Sequence, residues 1–530
     1  MTSLSGPGAT PAQARAHARR WWTLGILSLS VVLVAIDNTI VNVTLPTLAH
    51  RVHASTSDLQ WIVDAYTICF AGLLLVCGSI GDRVGRKRLL QAGLVLFMLT
   101  SFAAAHSGSL WPLVASRAGM GIAAALVYPS TLAMLPAIFA SRKERAIAVG
   151  VWSGVSGVAI ALGPVAGGFL LEHFWWGSIF MVNLPVAAIA LILGAVFVRG
   201  SRDPVPGRFD LPAALLSVPV IGLTIWTIIE APQHGWTSAQ TLAGFAGSAV
   251  LLVAFVWWEL RCENPMVDVH LFRNARFSVA STTISLAFFG LFGFTFIITE
   301  YFQLVRGYSP LKAGAATLPY AAVMAALSPL AMLIVVKIGT KVVASAGLVL
   351  MAAGFLIVVR AGVYADYWKV IVVSMCLMAA GMALSTGPAT DSVLAALPEA
   401  RAGVGSAFND TTRELGGALG VAVSGSLLSW FYGSRLSTAW SALGVPAGVL
   451  GHAKTSVAAG LAIAGRAGPA AHGPALASAV RSSFMTGLHV GSAVIAGTML
   501  VTAAAALALL PRRDRVQVEQ PAEEPVTADA

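Results

Sequence analysis

Charged residues are scarce in this sequence. They make up 11% of its 530 residues, whereas hydrophobic residues make up 57%. A typical soluble domain carries about 25% charged residues. A chain with so few charges cannot cover its surface with polar groups, so the composition excludes a soluble globular protein and predicts an integral membrane protein.

Cysteine and catalytic motifs are also lacking. The four cysteines have neither the spacing of metal ligands nor that of a disulfide framework. The sequence contains no phosphate-binding loop, nucleophile elbow or zinc-binding pair of histidines. We therefore expect no metal, no cofactor and no enzymatic activity, and any energy source must be something other than nucleotide hydrolysis.

Long apolar runs are abundant instead. About fourteen of them are long enough to cross a bilayer, which takes about 20 residues. Lys and Arg concentrate in alternate loops, which predicts that both termini are cytoplasmic. The same loops account for the net charge of +10 without a nucleic-acid partner. The runs are residues 22–46, 59–80, 89–105, 110–137, 146–171, 178–198, 211–230, 240–258, 278–301, 314–336, 342–360, 369–390, 404–430 and 485–510.

The loop between the second and third runs has a distinctive pattern of glycines, one acid and several bases. The glycines permit a tight turn, and the acid is placed to cap a helix or to bridge to basic side chains. An ordinary basic cytoplasmic loop is the simpler alternative. The pattern consists of Gly78, Asp82, Arg83, Gly85, Arg86 and Lys87.

Two features interrupt the apolar runs. Arg117 places a full charge inside the fourth run, which marks either a functional residue or a structural ion pair. The fifth run contains Gly163, Pro164, Gly167 and Gly168. Proline removes a backbone hydrogen bond and the glycines let another helix approach closely, so this segment taken alone indicates a packing face.

Together these motifs resemble the major facilitator superfamily, and in particular its fourteen-helix drug/proton antiporters. The loop after the second run resembles the family's hallmark loop, residues 113–125 resemble its fourth-helix motif, and residues 163–168 resemble the fifth-helix motif of its exporters. The resemblance extends from about residue 22 to residue 510. Further matches lie at residues 37–46, 61–66, 303–314 and 409–420.

The resemblance implies an all-α membrane fold in which two six-helix halves enclose a central cavity, with two extra helices between the halves. It implies that the loop is a conformational latch, that Arg117 takes part in proton transfer, and that the direction of transport is outward. The expected divisions are a cytoplasmic tail (1–21), an N-terminal half (22–198), a linker region with the extra helices (199–277), a C-terminal half (278–510) with a long external loop (431–484), and a cytoplasmic tail (511–530).

Few acidic residues lie well inside the runs. A carboxyl group in a low-dielectric cavity holds its proton more firmly than one in water, so it can exchange protons near neutral pH and can also pair with a cationic drug. Asp37 is the first candidate for the proton site. Asp64 lies nearer the outer surface, which suits either cation selection or a position among the lipid headgroups. Glu230 and Glu300 fall at predicted outer helix ends, where we expect solvation.

A second group of charges lies in the thirteenth run. Asp410, Arg413 and Glu414 are spaced i, i+3, i+4 and share one helix face, so Arg413 can pair with Asp410. The pair is either a self-neutralised structural feature or part of a proton path. In both cases Glu414 remains a second candidate acid.

The sequence therefore predicts a monomeric, multi-pass protein of the cytoplasmic membrane that exports a hydrophobic or cationic antibiotic or toxic compound, driven by the proton gradient. Its partners would be the drug, protons and the lipid bilayer. The excess of arginine over lysine suits a GC-rich genome such as that of an actinomycete. Two alternatives are proton-coupled uptake of a small metabolite and a membrane receptor that transports nothing.

Overall fold

The computed structural model describes residues 11–51, 54–139, 142–198, 200, 210–263, 265, 267–395, 402–467 and 472–509, and within these ranges it contains helices and no strands. The helices are α1 (Pro11–Arg51), α2 (Thr56–Val84), α3 (Arg86–Ala105), α4 (Leu110–Ile138), α5 (Arg142–His173), α6 (Ser178–Met181), α7 (Asn183–Phe197), α8 (Leu211–His234), α9 (Ala239–Glu259), α10 (Ala275–Glu300), α11 (Pro310–Ala315), α12 (Leu318–Ile338), α13 (Thr340–Val359), α14 (Val373–Ala395), α15 (Ala402–Ala442), α16 (Ala447–Ala453), α17 (Val457–Ala467) and α18 (Gly473–Leu509). A 3-10 turn at Val269–Arg273 precedes α10. One π-helical turn, Tyr301–Val305, follows α10, and another, Tyr367–Val372, precedes α14.

Every predicted apolar run coincides with helix. Among the described residues, 12 helical segments are long and apolar enough to cross a membrane. The helices α2 and α12, which cover the other two predicted runs, are not among these 12. The structure thus supports a multi-span membrane protein, whereas the count of fourteen spans stays a prediction.

The region predicted as a long external loop differs from that expectation. Helix α15 continues to Ala442, α16 and α17 follow, and α18 already begins at Gly473. The extension of α15 buries Tyr432, Leu436 and Trp440. These large side chains recur at helical spacing, and burying them stabilises helix in the segment that was expected to be a long loop. The predicted tail from residue 511 onward lies outside the described residues.

The helices assemble into two bundles. In the first, α1 packs against α5, and α4 packs against both α2 and α3. In the second, α10 packs against α15, and α13 packs against α14 and α18. The hairpin of α8 and α9 joins them through α8, which contacts both α2 and α15. A small apolar cluster fills this three-helix junction, and it consists of Ile68, Ile225, Ile229, Ala418 and Ala422.

Successive long helices from α1 to α5 run in opposite directions, so one end of the molecule collects the ends of α1 and α5 and the start of α2. We call this the Gly168 end, after the last glycine of the fifth-run motif. The opposite end contains the turn between α2 and α3 and is called the Gly85 end.

The contact between α10 and α15 depends on glycine. A Cβ at Gly420 would overlap the backbone carbonyl of Phe289, and one at Gly416 would overlap that of Ser285. Two helix backbones can approach this closely only where no side chain separates them. The glycines therefore set the distance between these two helices.

We expect Gly420→Ala to destabilise the protein by about 1–3 kcal/mol, because the new methyl group forces two backbones apart. The measurement is the melting temperature of the purified protein in detergent. Gly433→Ala is the matched control, since Gly433 lies on the same helix and an added Cβ there meets nothing within 4 Å. Equal melting temperatures for the two variants would contradict the proposed role of Gly420.

Candidate functional site

A buried ion pair lies at the centre of the first bundle. Asp37 of α1 accepts a hydrogen bond from Arg117 of α4, with 2.6 Å between Oδ2 and Nη1, and both side chains are 0% exposed. The other carboxylate oxygen accepts a bond of 2.8 Å from the amide of Asn183, the first residue of α7. Three helices therefore converge on one carboxylate.

The guanidinium of Arg117 is held from two further directions. Its Nε donates to the backbone carbonyl of Ile62 at 3.0 Å. Its Cζ lies 4.4 Å from the centroid of the Tyr66 ring, a cation–π geometry. Both contacts come from α2, so the charge of Arg117 links α1, α2 and α4. The sequence identified Asp37 and Arg117 as separate candidates, and the structure brings them together.

Asp64 lies on α2 without such partners. Its side chain is 0% exposed. Neither carboxylate oxygen has a hydrogen-bond partner among the residues that the structure describes. Gln60 and Ile68, one turn to either side, contact α15 and α8, so Asp64 shares the face of α2 that meets the second bundle. This position is inside the protein rather than among lipid headgroups.

The charged residues of α15 make two kinds of contact, one within the second bundle and one with the first bundle. Arg413 lies 3.7 Å from Asp410, which is the local pair expected from the i, i+3 spacing, and it also donates to the Thr390 hydroxyl. Glu414 instead accepts a 3.4 Å bond from the amide of Asn38 on α1. Asn38 is the neighbour of Asp37 in sequence, so Glu414 contacts the helix that carries the buried ion pair.

Further polar contacts join the two bundles at the Gly168 end. The amide of Gln60 donates to the carbonyl of Ala422 at 2.7 Å, and the amide of Gln303 donates to the carbonyl of Val43 at 2.7 Å. Together with Asn38 and Asn183, these amides are functional candidates that the sequence reasoning missed. Their signal was present, because each is a polar amide in an otherwise apolar helix.

The glycine and proline motif of α5 also makes contacts between the bundles at the Gly168 end. A Cβ at Gly168 would lie 2.5 Å from the carbonyl oxygen of Pro310, at the start of α11. In the reverse direction, a Cβ at Gly314 would overlap the carbonyl of Pro164. Gly163 instead faces the side-chain hydroxyl of Thr39 on α1. Helix α5 therefore packs closely, through its glycines, against both its own bundle and the other one.

The basic loop forms the tight turn between α2 and α3 at the Gly85 end. Gly85 has φ +110° and donates its backbone N–H to Gly81, so the chain reverses at a residue that tolerates this conformation. Arg86 donates to the carbonyl of Ala133 on α4, and Lys87 donates to that of Ala195 on α7. The side chain of Asp82 lies outside the described residues, so its predicted capping or bridging role stays a prediction.

Buried charges between helices, two helical bundles in direct contact and glycines where their helices meet are features expected of a multi-span membrane transport protein. Residues 27–421 match the Major Facilitator Superfamily, and the chain belongs to this family. The resemblance found in the sequence motifs is thereby confirmed. The protein is a transporter of the bacterial cytoplasmic membrane.

The chain is similar to several known proteins over nearly its whole length. It is 36% identical to the multidrug efflux pump LfrA of Mycolicibacterium smegmatis, covering 95% of this chain and 99% of LfrA. It is 32% identical to the tetracenomycin C resistance and export protein of Streptomyces glaucescens, covering 99% and 97% of the two chains. A crystal structure of a bacterial homologue of the lysosomal transporter Spinster shares its fold, with a TM-score of 0.63, 17% identity and coverage of 94% and 99%.

Proposed function

We propose that this protein exports hydrophobic or cationic antibiotics and toxic compounds from the cytoplasm in exchange for protons. The relatives named above are drug and antibiotic exporters, which supports the substrate class and the outward direction. The observation that carries the exchange mechanism is the buried pair of Asp37 and Arg117. A proton arriving on Asp37 neutralises the carboxylate and releases Arg117 from it, so one protonation event changes contacts among three helices.

The orientation follows from the distribution of basic residues. The Gly85 end carries Arg86 and Lys87, and the positive-inside rule assigns such an end to the cytoplasm. Fourteen spans with both termini cytoplasmic agree with this assignment. The halves would be residues 22–198 and 278–510, the extra pair would lie within 199–277, and the functional unit would be a monomer in the lipid bilayer. The proton gradient would be the energy source, with no cofactor.

The mechanism we propose is alternating access. The Gly168 end is then the external end, which is closed here by the contact of α5 with α11 and by the amides of Gln60 and Gln303. The substrate enters from the cytoplasmic end and pairs with a deprotonated acidic side chain of the protein. Protons from outside reload the acids after the halves part at the Gly168 end.

The acids would have different tasks in this cycle. Asp37 would carry the proton, because Arg117 neutralises the Asp37 carboxylate when the proton leaves. Asp64 has no counter-ion among the residues that the structure describes, which supports a role in which it binds either a proton or a cationic substrate. Glu414 would link the two halves through its hydrogen bond with Asn38. Asp410 and Arg413 would form a local ion pair in which their charges cancel on this helix face.

The decisive experiment uses inside-out vesicles with an acidic interior. We expect antibiotics and lipophilic cations from a panel to trigger proton release, because their movement inward drives protons outward. A symporter for metabolite uptake would instead carry protons in with its substrate, so the sign of the pH change separates the two functions. Vesicles containing well-expressed protein that respond to no member of a broad panel would count against drug export.

A further inference from the structure

Glu300 is a buried carboxylate that the central ion pair does not use. It is the last residue of α10 and is 2% exposed, contrary to the solvation expected from its position at a helix end. The chain continues from it into the π-helical turn Tyr301–Val305, so the helix does not end in water at this point. Single π-helical turns of this kind often occur at functional sites.

Among the residues that the structure describes, no base forms an ion pair with the Glu300 carboxylate and no group donates a hydrogen bond to it. Arg306, the next base along the chain, donates instead to the carbonyl of Ala365 and the hydroxyl of Tyr308. The Tyr432 hydroxyl lies within electrostatic reach of Glu300, but it donates to the carbonyls of Ala453 and Ser456. A buried carboxylate without a partner is costly, and a cation supplied from elsewhere would remove that cost.

The position of Glu300 places it beside the contact between the halves. Gln303, one turn further on, donates to the carbonyl of Val43 on α1, and α10 also packs directly against α1. If the halves part at the Gly168 end, this contact must break. The turn that carries Glu300 would then face the opening pathway.

We propose that Glu300 is a second cation-binding site, on the exit side of the transport path, which takes the positive charge of a lipophilic organic cation after it leaves the central acids. The site is distinct from Asp37 because it lies in the other bundle and has no arginine partner. The preceding turn of α10, with Phe296 and Ile297, and the following residue, Tyr301, are buried and largely apolar. They suit a cation whose charge is carried on a hydrophobic body rather than a small hydrated ion. The role in transport rests on the proposed function, whereas cation binding does not.

The test is equilibrium binding of tetraphenylphosphonium to the purified full-length protein in detergent. We expect Glu300→Gln to bind about one cation fewer per chain than the wild type, or to bind the outer cation about tenfold more weakly, because an uncharged amide cannot neutralise it. Glu300→Asp keeps the charge and is expected to retain the site. Glu230→Gln is the matched control, since Glu230 is a more exposed acid near the same end of the molecule, on α8.

The outcomes separate the two proposals. Unchanged binding in Glu300→Gln, equal losses in Glu300→Gln and Glu230→Gln, or no binding by the wild type would overturn the Glu300 site. Absence of substrate-triggered proton release from wild-type vesicles would instead count against drug/proton exchange. The tetraphenylphosphonium binding measurement would still test the Glu300 site. Glu300→Leu serves as the uncharged variant if Glu300→Gln does not purify.

Discussion

Asp37→Asn is expected to abolish substrate-triggered proton release from inside-out vesicles, a loss on the order of 100-fold or more, as expected when a buried charge loses its partner. Asparagine has nearly the same size as aspartate, but it carries no charge and exchanges no proton. It also leaves the buried guanidinium of Arg117 without its counter-ion. The assay is the proton-release measurement in vesicles of matched protein content.

A loss of activity could also come from instability, because an unpaired buried charge costs about 3–5 kcal/mol. The double variant Asp37→Asn/Arg117→Gln separates the two effects. Removing both charges leaves no buried charge without a partner. We therefore expect the melting temperature of the double variant to return close to that of the wild type, while drug/proton exchange stays absent. Proton release that survives in Asp37→Asn would move the proton site to Asp64 or to Asp410 and Glu414.

Gly168→Val is expected to reduce transport to background by preventing closure at the Gly168 end. An added Cβ would lie 2.5 Å from the carbonyl oxygen of Pro310, and this is backbone, which cannot rotate away. The clash acts only when α5 and α11 are in contact. The substitution therefore disfavours the closed state rather than the fold of either bundle.

Cysteine accessibility measures this shift directly. Thr44 is fully buried on α1, near the same end. In a cysteine-free background, we expect a Thr44→Cys reporter to react with a membrane-impermeant maleimide about tenfold faster when Gly168→Val is present. Gly154→Val is the matched control, because Gly154 lies on the same helix and an added Cβ meets nothing within 4 Å. Similar transport in the two valine variants would show that this contact is not required for closure.

Local sequence pattern was sufficient for most of the helices and for part of the site. Hydropathy located every long apolar helix because a segment in lipid must satisfy its own backbone hydrogen bonds. The pair of Asp410 and Arg413 was predictable because residues three apart on a helix are neighbours. The glycine and proline motif indicated close packing, although which helix it contacts was not specified by the motif.

Contacts between distant segments could not be predicted in the same way. Asp37 and Arg117 are far apart in the chain, and their pairing depends on how α1 and α4 are oriented in the bundle. Expecting Glu300 to be solvated was wrong because burial at a helix end depends on what packs over it. The long loop was misjudged for a related reason, since Tyr432 and Trp440 stabilise helix only when other segments cover them.

The sequence by itself determined that this protein is a helical membrane transporter, because hydropathy, charge distribution and the spacing of its motifs are local properties of the chain. Only the tertiary structure decided which acids have partners. It paired Asp37 with Arg117, connected Glu414 to Asn38, and placed no cation of the described segments against Asp64 or Glu300. The physical reason is that the free energy of a buried charge depends on the groups that surround it in space, and those groups come from other helices.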